Sequence, residues 1–94
     1  DFGWPQQMAK LLPFSTLINK SISGNTIGFD NLDQPKLNTL TNINQYLNSA
    51  YNKLPVNAEL DYIIINIGTN DTKAVFKDRQ KEVPANMDAL LKKI

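Results

Sequence analysis

Two short polar glycine loops hold the residues of this chain best suited to chemistry: Ser23-Gly24-Asn25-Thr26 and Gly68-Thr69-Asn70-Asp71. Glycine has no Cβ, so Gly24 can bring its backbone N–H close to a ligand. Asn70 offers a neutral side-chain NH2 just after a run of apolar residues. Two neutral donors converging on one point suit a developing oxyanion, where losing one donor typically raises the barrier by about 2.7 to 4 kcal/mol. Gly-Thr-Asn-Asp is also ordinary turn chemistry, in which Asn and Asp bond their own backbone. The residues alone leave both readings open.

The remaining candidates are weaker. Ser15, Ser21, Ser23 and Ser49 could be nucleophiles, but the chain contains no histidine to activate them. It contains no cysteine either, which removes disulfides, thiolate chemistry and sulfur ligands for zinc. Asp30, Asp33 and Asp71 lack EF-hand spacing and come without histidine or cysteine metal patterns. Capping and turn roles are expected of Asp30 and Asp33. Gly24-Asn25-Thr26-Ile27-Gly28 matches neither a dinucleotide fingerprint nor a phosphate loop. Lys77, Arg79 and Lys81 alternate with Asp78 and lead into Glu82, which reads as a solvated face. Trp4 shares helical spacing with Met8 and Leu11 and is expected to anchor the core rather than a substrate.

Elements that could position the two loops follow from periodicity. Pro5 and the spacing of Met8, Leu11 and Leu12 predict a short helix over 4–12, stopped by Pro13. Leu17 and Ile18 with β-branched Thr16 predict a buried strand over 15–21. Leu37, Leu40, Ile43, Leu47 and Tyr51 predict the longest helix, over 35–51. The β-branched run 60–67, closed by Gly68, reads as a central parallel strand covered on both faces. Met87, Leu90, Leu91 and Ile94 mark a last helix after Pro84. Helix, strand, helix, strand, helix predicts an α/β layered fold with parallel strands and right-handed crossovers. In such folds both polar loops lie at strand carboxyl ends, on one rim.

Composition narrows the partners. The chain has 94 residues and a formal net charge of +1, with both signs interspersed, so it forms at most one domain and no field that gathers nucleic acid or anionic lipid. No apolar run approaches the roughly 20 residues of a membrane crossing, and the N-terminus lacks a signal-peptide pattern. Asn19 and Asn70 each begin an Asn-X-Ser/Thr triplet. A glycan on Asn70 would abolish the oxyanion role, which favours a bacterial source.

The order Trp4-Pro5, then Ser21-Ile22-Ser23-Gly24-Asn25-Thr26, then Ile65-Asn66-Ile67-Gly68-Thr69-Asn70-Asp71 resembles the SGNH (GDSL-type) hydrolase family. Gly68 to Asp71 match the family's Gly-X-Asn-Asp block, and Gly24 matches the glycine of the preceding block. The flanking Thr26-Ile27-Gly28-Phe29-Asp30 and Asp71-Thr72-Lys73-Ala74-Val75-Phe76 look like its arylesterase and carbohydrate-esterase branches. The resemblance implies a three-layer α/β/α sandwich of flavodoxin-like type, with residues 1–94 forming part of one hydrolase domain. It also implies a serine acyl-enzyme mechanism on short-acyl or acetyl esters, carbohydrate esters among them, with no cofactor and no metal. Gly24 and Asn70 would be the oxyanion donors. A secreted or periplasmic bacterial location fits the family.

The family's Gly-Asp-Ser nucleophile motif and Asp-X-X-His base motif are both missing from this sequence. The expectation is an internal piece of a longer esterase, inactive alone and needing the remaining hydrolase segments. The alternative is an inactive carbohydrate- or acyl-binding module on the same scaffold, or a plain structural α/β fragment.

Overall fold

The computed structural model describes residues 3–94. Helix α1 spans Trp4–Lys10, with proline in its first turn, where a missing N–H costs nothing. Helix α2 spans Thr39–Lys53 and helix α3 spans Glu82–Lys93. Four short 3₁₀ segments lie between them, at Asn31–Asp33, Pro35–Leu37, Thr69–Thr72 and Ala74–Arg79. The helices thus follow the predicted periodicity, with Pro35–Leu37 split off ahead of α2. Asn38 marks that break as the N-cap of α2, its side-chain oxygen accepting from the Thr41 N–H at 3.3 Å.

The core forms where α2 and α3 pack together. Ile43 from α2 and fully buried Leu90 from α3 meet Ile27, with Leu40, Leu47, Val83 and Met87 around them. Leu40, Ile43, Leu47, Met87 and Leu90 belong to the spacings that predict the two helices and they pack here, whereas Tyr51, Leu91 and Ile94 of the same spacings stay exposed. A second packing unit lies beside it. The ring of Phe29 is buried and stacks on Phe76 with centroids 4.5 Å apart, and the Arg79 guanidinium sits 4.6 Å above Phe29.

The α/β sandwich expected above is not the fold this chain adopts. Among the described residues there is no strand and no sheet, and the single β pairing is an isolated parallel bridge between Thr26 and Asn38. Neither run expected as a strand, 15–21 or 60–67, has regular structure. The second run is not covered on both faces either, since Tyr62 is 86% exposed and Ile63 and Ile64 are also exposed. β-branching favours a pleated conformation, but a strand exists only through a ladder with a neighbour. No backbone hydrogen bond joins the two runs among the described residues. Propensity without a partner leaves them irregular.

Trp4 also departs from expectation. It is 51% exposed and no residue of α1 is fully buried. Seven residues give α1 two turns, too few to bury a full apolar face.

Candidate functional site

Without a sheet, the two polar loops are joined by side chains that reach across to backbone. The first loop is fastened to the start of α2. The Thr26 N–H donates to the Leu37 carbonyl at 2.8 Å, and the Thr39 and Leu40 amides donate to the carbonyls of Thr26 and Ile27 at 3.0 and 2.8 Å. Thr26 is fully buried, and its hydroxyl closes the loop on itself by donating to the Phe29 carbonyl and accepting from the Phe29 N–H. The second loop turns at Gly68, whose φ of 131° is a conformation that side chains disfavour.

Asp71 ties one loop to the other. Its carboxylate is wholly buried and accepts the Ile27 N–H at 2.9 and 3.0 Å on its two oxygens, and the Gly28 N–H at 3.4 Å. A buried carboxylate is tolerable when backbone donors replace its water, which is the arrangement here. Asp71 therefore clamps the second loop onto the backbone of the first. Among the described residues, no cluster of three or more metal-binding side chains exists. Gly28 permits the close approach of this loop to α3, since a Cβ there would lie 2.6 Å from the Asn86 side chain.

Gly24 and Asn70, the two expected donors, come to one place. Asn70 Nδ2 donates to the Asn25 carbonyl at 2.9 Å, a contact spanning 45 positions of sequence. Gly24 and Asn70 line a common cleft of about 470 Å³. That volume falls within the usual range for small-molecule pockets. Met8, Ile43 and Ile65 contribute apolar wall, while Ser21, Ser23 and Thr69 add hydroxyls. Trp4 lines the same cleft rather than packing into the core. One hydrogen of the Asn70 amide is committed to Asn25, and the amide carries a second.

Of the remaining sequence candidates, Ser21 and Ser23 border the cleft but have no histidine in the chain to activate them. Asp30 accepts from Asn38 Nδ2 at 3.0 Å, bracing the α2 cap rather than capping a helix itself. Arg79 donates to Glu82 at 2.7 and 3.0 Å, and this neighbour holds the Glu82 carboxyl below its ordinary range. Arg79 thus both pairs with Glu82 and covers Phe29, while Lys77 and Lys81 of the same cluster are exposed, as a solvated face requires. Asn31 and Lys73 escaped the sequence reading, although the Lys73 ammonium donates to the Asn31 side chain and Asn31 in turn donates to the Gly24 carbonyl. Neither falls in a recognisable spacing, so only folding could reveal them.

Comparison with known protein families, curated proteins and solved structures finds no match to this chain. Among the described residues, no helix is long and apolar enough to cross a membrane.

Proposed function

We propose that the cleft between the two glycine loops is the oxyanion half of an ester hydrolase site, working by the serine acyl-enzyme chemistry that the SGNH-like motifs suggest. The observation that carries this reading is the convergence of Gly24 and Asn70 on one cleft through a contact 45 residues apart in sequence. A local turn would satisfy Asn70 within its own loop; here its amide crosses to the other loop instead. In this reading the Gly24 N–H and the free hydrogen of Asn70 Nδ2 receive the negative oxygen of the tetrahedral intermediate. The apolar wall takes the acyl group, and short acyl or acetyl esters are the substrates that the motif resemblance suggests.

The nucleophile and base must then come from outside these 94 residues, because the chain has no histidine. The test begins with the denatured intact mass of the purified protein. A mass well above 10.6 kDa allows additional segments to supply serine and histidine, and that polypeptide should be labelled by a serine-directed phosphonate. Failure to label would overturn the proposal. The lack of histidine also favours a second reading, a module that binds acyl or sugar ligands in the same cleft without turnover. Ligand binding without labelling would select it.

A further inference from the structure

Asn31 is a buried polar residue beside the Gly24 loop that the proposed chemistry leaves without a task, with only 2% of its surface exposed. Its Nδ2 donates to the Gly24 carbonyl at 2.8 Å, and its Oδ1 accepts from Lys73 Nζ at 2.8 Å. An ammonium has donors only, so Lys73 dictates which end of the amide faces it and turns the NH2 toward Gly24. A hydrogen bond to a charged group is about twice as strong as a neutral one, which makes this lock firmer than an ordinary Asn rotamer.

Gly24 needs such a lock. Its φ is 88°, and glycine visits either sign of φ with similar ease. The following carbonyl, that of Asn25, is held by Asn70 Nδ2 at 2.9 Å. Successive carbonyls are thus each gripped by an asparagine amide, one from the turn Asn31–Asp33 and one from the turn Thr69–Thr72. Lys73 follows the latter turn directly. The same few residues connect both expected oxyanion donors.

We infer that Asn31, oriented by Lys73, is a positioning residue: by holding the Gly24 carbonyl, in the peptide whose Asn25 N–H closes the turn onto the Ile22 carbonyl at 3.2 Å, it fixes the turn about Gly24 and so the direction of the Gly24 N–H in the preceding peptide before the reaction begins. The inference rests on the ester hydrolase reading above. A donor that must reorient during reaction stabilises the transition state less than one already in place. The effect therefore belongs in kcat, with little change in KM.

The experiment uses the full polypeptide that carries these residues, with active sites counted by phosphonate titration. Asn31→Asp keeps the size and the Lys73 contact but puts an acceptor against the Gly24 carbonyl. It should lower kcat per titrated site about tenfold at similar KM. Lys73→Met should lower it less, and Lys73→Arg should recover most of that loss, because it restores a donor to Asn31 Oδ1. Counting titrated sites separates misfolding from mispositioning, and Lys73→Met leaves every backbone contact of the turn intact. If the wild type reacts while N31D and K73M both keep full kcat per site, the positioning role is wrong and the hydrolase reading stands. If the wild type itself fails to react with the phosphonate, both readings fall together.

Discussion

At the scale of single residues, the site depends on polar side chains that satisfy distant backbone. Asp71 is the clearest case, because removing its carboxylate leaves the Ile27 and Gly28 amides facing a buried void. Asp71→Ala should therefore destabilise the chain by about 2 to 3 kcal/mol, read as a lower urea midpoint at unchanged slope. A midpoint equal to wild type would mean that water replaces the carboxylate. Asn70→Ala should lower kcat of the full polypeptide by about two to three orders of magnitude. From sequence alone, a strand-end donor would act in the transition state with little effect on stability. The bond to the Asn25 carbonyl adds a stability loss of about 1 kcal/mol. Parallel kcat and urea measurements separate the two effects, and an unchanged kcat sinks the oxyanion assignment.

At the scale of elements, the α2 and α3 pair is the part that folds by its own pattern. Leu90 is fully buried between the two helices and Ile27. Leu90→Ala should cost about 2 to 5 kcal/mol, and a thermal melt shifted by only a degree or two would show that the contact is loose. The start of α3 carries the Arg79–Glu82 ion pair, which depresses the Glu82 pKa from its ordinary 4.5. The pair's stabilisation is fully present above that value and is lost as pH falls through the lower folded one. Both groups are exposed, so the effect is small and salt-sensitive. Glu82→Gln should flatten the acid limb of the melting temperature below about pH 4.5 in low salt, leaving neutral pH nearly unaffected. An acid limb identical to wild type would show that the pair contributes nothing.

At the scale of the whole molecule, the radius of gyration is 14.8 Å and the longest dimension 45 Å. A compact domain of this length has a radius near 12 Å, so the chain is drawn out. The two runs 15–21 and 60–67 carry apolar side chains but, among the described residues, no ladder. Amides in these runs should exchange with solvent far faster than those of α2 and α3 when the 94 residues are studied alone. Protection in 60–67 equal to that in α3 would contradict the irregular structure described above.

The sequence by itself determined the helices, the residues by which α2 and α3 pack and the two glycine loops, because periodicity, prolines and turn residues act within a few positions of one another. It also determined that no complete serine triad lies within the chain, since composition alone excludes the histidine. The tertiary structure decided everything that depends on distant partners. It left 15–21 and 60–67 unpaired, because β-branched residues specify a willingness to pair and not a neighbour. It moved Trp4 from core to cleft, turned Asp71 into a clamp on Ile27 and Gly28, and brought Asn31 and Lys73 to the Gly24 loop. Each of these contacts joins residues dozens of positions apart or across a turn. No local spacing encodes such a meeting; only the packing of the helices and of the loops that precede α2 and α3 does.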